Sequence, residues 1–234
     1  MKKNYDKKIV VLRKKIDETE VLEILDNKKT ALFKSIFSRP KKSDIHIHSV
    51  KLYYECILMI SGKYVANYFR KATHSISVNS NVSAVVLGDD IFSVRTKSNF
   101  KKAIVGKRGK NKVDLKLEEH VFVENEDELT FDHHGKEIKF PFKLNSKTTE
   151  NYPNRLLEKN SSNVKNSELT HNDVIKKLQS FLKKPLEYEV RKLEEEFVLR
   201  EISEVYVPIY ESRLIGPKKK IAIIRIDAVR NKIL

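Results

Sequence analysis

One cysteine in 234 residues excludes an intrachain disulfide, so this chain must be held together by its core, and 40% hydrophobic content supplies one. Cys56 stands on the apolar side of an alternating stretch, where a buried and inert thiol is expected rather than a nucleophile. No uncharged run approaches the roughly twenty residues a membrane helix needs. The most apolar stretch, Asp44 to Val78, has only Cys56 to Gly62 free of charge between Glu55 and Lys63. The N-terminal MKKNYDKKIVVLRKK is basic, but its apolar portion, Ile9 to Leu12, is shorter than a signal-peptide core of about 7 to 15 residues. These absences point to a cytoplasmic protein with no transmembrane segment.

Catalytic and cofactor signatures are missing as well. The sequence has no GxSxG elbow, no GxGxxG dinucleotide fingerprint and no GxxxxGK[ST] phosphate loop, so neither an enzyme nor a cofactor is signalled. Asp132-His133-His134 is the triplet for which a family of phosphoesterases is named, but the further Asp motifs of that family are lacking. The triplet instead opens a turn ending in Gly135. His46 and His48 project from one side of a strand and could begin a metal site, for which His74, His120, Glu55 or Asp44 would have to supply the other ligands through the fold.

What the chain does have is positive charge, +15 formally. Lys outnumbers Arg 36 to 11 and Asn reaches 16, a bias that an A/T-rich coding sequence imposes whatever the protein binds. Distribution is therefore more informative than total. Residues 113 to 166 carry 8 basic and 11 acidic groups, whereas 97 to 112, KSNFKKAIVGKRGKNK, carry seven basic groups, no acid and two of the six glycines. A glycine-bearing basic loop suits phosphates, because Gly permits close backbone approach while Lys and Arg neutralise charge. Lys101, Lys102, Lys107, Arg108, Lys110 and Lys112 are the candidate nucleic-acid-binding residues. The competing reading is a solvated loop balanced by the acidic run Glu118, Glu119, Glu124, Glu126, Asp127 and Glu128.

Within this segment, Ile104-Val105-Gly106-Lys107-Arg108-Gly109-Lys110 resembles the GxxG loop of KH nucleic-acid-binding domains, which clamps the sugar-phosphate backbone between two helices. The likeness spans about ten residues. It departs at Lys112, where that pattern wants an apolar residue, and Val113, Leu115 and Leu117 alternate as a strand would.

The elements read as follows. Asp17 with Glu20 opens a helix of about five turns that closes at Arg39-Pro40, with a break near Asn27 as one option. Val50 to Ile60 alternates as a strand, and Ser61-Gly62-Lys63 then reads as the turn of an antiparallel hairpin. Short strands follow to Phe140. Asn145 to Leu169 is polar and rich in Asn and Ser, the composition of a linker. Thr170 caps a helix ending at Pro185, residues 186 to 202 fit helix or strand, and Val205 to Val229 form a hairpin in which Pro208 calls for an edge or a bulge. The expected protein is α+β, mainly antiparallel: an N-terminal arm and helix (1–40), a β domain (41–144), a linker (145–169), and a helix with a β-hairpin (170–234).

VKLYYE (50–55) and YVPIYE (206–211) are alike, and each is followed by a glycine and an apolar strand. A binding architecture suits such a pair of β modules better than a catalytic one. The leading expectation is a non-enzymatic protein that contacts nucleic-acid phosphates through residues 97–112 without strong sequence preference. The alternative is a protein-interaction or self-assembly module using hairpin edges or the apolar face around Tyr53, Tyr64, Tyr68 and Phe69; metal-dependent catalysis is a poorer third.

Overall fold

The computed structural model describes residues 5–34, 40–94, 111–185 and 189–234. They form a mixed α+β protein dominated by mostly antiparallel sheet. In chain order the elements are β1 (Asp6–Val11), α1 (Glu18–Phe33), β2 (His46–Val78), β3 (Ala84–Leu87), β4 (Asp90–Ser93) and β5 (Asn111–Phe131). Then come α2 (Pro153–Lys159), β6 (Val164–Lys165), α3 (His171–Leu182), β7 (Val190–Ile215), β8 (Ile221–Asp227) and β9 (Lys232–Ile233). The main sheet runs β5-β2-β7-β8-β9, with β1 on β7 and β6 on β2; β3 and β4 form a separate hairpin. Among the described residues no helix is long and apolar enough to cross a membrane.

Two compact units are present, one of Met1–Lys63, Glu126–Leu182 and Val198–Leu234, the other of Tyr64–Asn125 and Lys183–Phe197. In the first, α1 starts where the sequence places it. Asp17 Oδ1 accepts from the Glu20 amide at 3.0 Å while Glu20 Oε2 accepts from the Asp17 amide at 2.8 Å, closing a capping box. The helix passes Asn27 without a break. Its Val21 and Leu25 are fully buried against Tyr210, Leu214, Ile224 and Ile226 of β7 and β8. The opposite face of β7, Val205, Val207 and Ile209, packs with Val10, Leu12 and Ile57, and Ile138, Phe140 and Phe142 close over it. This sheet is thus covered on both faces, which is why Tyr54 to Leu58 are buried without alternation.

The expected turn and the expected linker are both corrected, and α1 ends at Phe33, short of Arg39-Pro40. Residues 61–63 do not turn; β2 is one strand of 33 residues. The reason is phase. Ile60, Gly62, Tyr64, Ala66 and Tyr68 are buried in alternation, so the glycine occupies an inward position of an unbroken period-two pattern that a turn would have reset. The stretch 145–169 is not a bare linker either: it carries α2, a 3-10 turn and β6. Its start is tied to the body by Arg13 N donating to Thr148 O at 2.9 Å and Glu150 N to Val11 O at 2.8 Å.

The position of Pro208 follows from a change of partner along β7. The residues of β7 from Glu201 to Tyr206 pair with β1, and those from Ile209 to Ile215 pair with β8. Pro208 falls where one partner gives way to the other, and its carbonyl accepts from the Ala228 amide at 3.0 Å. A residue without an N–H is tolerated at that junction because neither ladder needs its donor. The hairpins around Gly88 (φ 58) and Gly135 (φ 81) form as expected, each glycine in the left-handed region its turn requires.

Candidate functional site

Of the six candidate phosphate-binding residues, Lys101, Lys102, Lys107, Arg108 and Lys110 lie outside the described residues. Lys112 is exposed at the start of β5. Val113 next to it is fully buried in the same strand, so the second helix that a KH fold would place here is replaced by β structure. The stretch 95–110 joins β4 to β5 in the chain.

Three members of the acidic run that could have balanced this stretch have other partners. Glu119 Oε2 accepts from Arg70 Nε at 2.7 Å and its Oε1 meets His74 Nε2 at 2.6 Å. These hydrogen bonds, Arg70 first and His74 next, hold the Glu119 carboxyl below its ordinary range. Glu118 lies 3.7 Å from Arg191, and Glu126 makes a two-pronged pair with Arg200. Asp114 accepts from the Ser75 hydroxyl.

The first unit carries a second charge cluster that the sequence did not announce as a site. Glu55 on β2 is 5% exposed. It stands in register with Lys165 of β6, and Glu211 of β7 stands in register with Arg225 of β8. Lys165 Nζ bridges the two acids, 3.1 Å from Glu55 and 3.4 Å from Glu211, and Arg225 donates to Glu55 from the other side. Burial alone would lower the Lys165 ammonium's pKa, but its hydrogen bond to Glu55 and the charges of Glu55 and Glu211 outweigh that and raise it. The Tyr53 ring lies 4.3 Å beneath the same ammonium.

His133 Nδ1 is 3.5 Å from Glu55, and burial pushes its imidazole below the usual histidine range despite that neighbour. Beside the cluster is a cavity of about 240 Å³ floored by Ile57, Val207, Ile209 and Phe142. Two acids facing two cations leave no net charge for a ligand to answer, so the arrangement staples β2, β6, β7 and β8 together.

The remaining candidates resolve simply. Asp132 Oδ1 accepts from the amides of His134 and Lys136 at 3.1 and 2.9 Å, the bonding of an Asx turn. His46 and His48 are exposed on β2, and among the described residues no three His, Cys, Asp or Glu side chains converge as a metal site would require. Cys56 is buried and its thiol is pushed up to about 12, first by burial and then by Glu204, which leaves no thiolate for chemistry. Of the apolar residues expected to form a docking face, Tyr64 and Tyr68 are 3% and 5% exposed and belong to the core, whereas Tyr53 and Phe69 are half-buried. Tyr64 donates to Glu195 at 2.7 Å.

Comparison with protein-family models, with curated proteins and with solved structures returns no match.

Proposed function

We propose that the chain is a non-enzymatic binding protein that engages nucleic-acid phosphates through residues 97–112, with Lys101, Lys102, Lys107, Arg108, Lys110 and Lys112 as the contacting cations. One observation carries this reading: Glu118, Glu119 and Glu126 of β5 are already paired with Arg191, Arg70, His74 and Arg200. These three acids are therefore engaged elsewhere, which supports an anionic partner as the answer to the seven cations. Lys without Arg's fork recognises phosphate as a point charge, so little sequence preference is expected.

The test is binding of fluorescent single-stranded and duplex oligonucleotides across a salt series, for the wild type and for Lys107→Glu/Arg108→Glu/Lys110→Glu. The wild type should bind near physiological salt with an affinity falling steeply as salt rises, and the triple variant should lose about three units of the salt slope. Equal binding by the two proteins overturns the reading.

The β3–β4 hairpin favours a second reading, a protein contact. Val86 and Ile91 are cross-strand partners that are 64% and 71% exposed, and Leu87 beside them is 51% exposed. An apolar pair on a two-stranded sheet suits docking on another protein. A rise of mass with concentration that is insensitive to moderate salt, abolished by Val86→Ser/Ile91→Ser, would support it.

A further inference from the structure

We propose that the ring-bearing face of the second unit stacks the bases of a single-stranded nucleic acid. The inference rests on the phosphate-binding reading above and names the form of nucleic acid it selects. Alternate residues of a strand share a side, so Lys112, Asp114, Lys116, Glu118, His120 and Phe122 of β5 project together, each about 6.6 to 6.8 Å from the next. The rings fix which side of β2 they meet. His120 stacks on Phe69 with centroids 4.6 Å apart and planes 17° from parallel, which puts Lys71 and Thr73 on the same face as Phe69. Lys192 Nζ lies 5.4 Å from the Phe69 centroid. Phe122, two residues beyond His120, is 64% exposed.

Cations flank these rings. Lys71, Lys116, Arg191 and Thr73 line an open groove of about 610 Å³ that also contains Glu118 and Glu189. Both acids are matched, Glu118 by Arg191 at 3.7 Å and Glu189 by Lys71 at 3.4 Å, which leaves Lys116 as the groove's excess cation. Lys116 has no ion-pair partner among the described residues, and Lys112 on the same side is exposed. Two adjacent exposed rings, His120 and Phe122, on the same strand face as the cations Lys112 and Lys116 supply what a single strand needs: π-faces for bases and cations for phosphates. A duplex cannot use them, since its bases are already stacked on one another and its outer surface is phosphate. The face therefore discriminates, whereas a basic loop alone does not.

The decisive variant is Phe122→Ala, with Phe122→Tyr as the conservative partner. Phe122 is exposed, so melting curves should be unchanged, and circular dichroism checks this. Affinity is measured for a mixed-sequence single-stranded DNA, the RNA of the same sequence and the corresponding duplex. Phe122→Ala should weaken both single strands by about fivefold or more while leaving the duplex unaltered, and Phe122→Tyr should retain wild-type binding. Equal weakening on duplex and single strands, or none on any, overturns the stacking face. If Lys107→Glu/Arg108→Glu/Lys110→Glu still lowers binding to all three, the loop reading survives that failure. Wild-type protein that binds none of the three ends both.

Discussion

Glu55 and Glu211 hold one ammonium between them: Lys165 Nζ lies 3.1 Å from the first and 3.4 Å from the second. The two acids end the two similar hexapeptides VKLYYE and YVPIYE, on strands adjacent in the sheet. Arg225 touches Glu55 as well and lies in register with Glu211, so four side chains from four strands form one closed circuit. What the hexapeptides share is a structural duty, holding the same pair of cations.

Glu55 is the buried member of that circuit, and its removal should be the most damaging change there. Glu55→Gln strands Lys165 and Arg225 without their shared carboxylate and is expected to cost about 3 kcal/mol. Lys165 is one-third exposed, and Lys165→Met should cost less than about 1 kcal/mol because solvent screens what it loses. Urea denaturation of both variants checks the order; a Glu55→Gln midpoint no lower than that of Lys165→Met would mean the circuit is not centred on Glu55.

His133 gives the fold a dependence on pH of definite sign. It faces Glu55, Arg225, Asp132 and His134, and burial lowers its proton affinity below that of the unfolded chain. As pH falls through about 6.5 the unfolded imidazole takes up a proton that the native one resists, so stability decreases with acidification until native His133 is itself protonated. His133→Asn should flatten the stability profile between about pH 7 and 5.5. The carboxylates held low, Asp26 and Glu119 among them, act only at more acid pH. Superimposable profiles for wild type and variant would refute this assignment.

Helix starts were the most legible part of the chain because their signals are local. Asp17 with Glu20 and Thr170 with Asp173 each complete within four residues, and both form the reciprocal bonds their spacing implies. Gly62 is misleading because its composition suggests a turn while the apolar residues around it keep one unbroken phase. The circuit on Glu55 was illegible for a different reason. Lys165 stands 110 residues away in a segment whose composition reads as a linker, and only the parallel pairing of β6 with β2 brings it there. The KH likeness failed on the residue after its loop, since Val113 keeps strand alternation and is buried in β5.

The caps themselves are measurable. Asp17→Ala removes the acceptor for the Glu20 amide and should cost about 1 kcal/mol, and Thr170→Ala at the start of α3 should cost a similar amount. Because α1 and α3 bury Val21, Leu25, Val174 and Leu178 completely, loss of a cap should appear as a lower midpoint of a single transition rather than as fraying of one helix. Amide exchange localised to one first turn with no change in midpoint would show that packing alone fixes the helix starts.

Gly88 and Gly135 both sit at positive φ, 58° and 81°, but they differ in what surrounds them. A Cβ at Gly88 would meet nothing within 4 Å, so Gly88→Ala carries only the left-handed backbone penalty, about 1 kcal/mol. A Cβ at Gly135 would come within 2.7 Å of Leu169 Cγ, adding steric displacement to the same penalty, for a total of about 2 to 4 kcal/mol. Asparagine separates the two causes, because it tolerates the left-handed region better than alanine yet is bulkier. Gly88→Asn should recover most of the stability lost in Gly88→Ala, whereas Gly135→Asn should recover none. Recovery at both positions would place the whole cost in the backbone and remove Leu169 from the account.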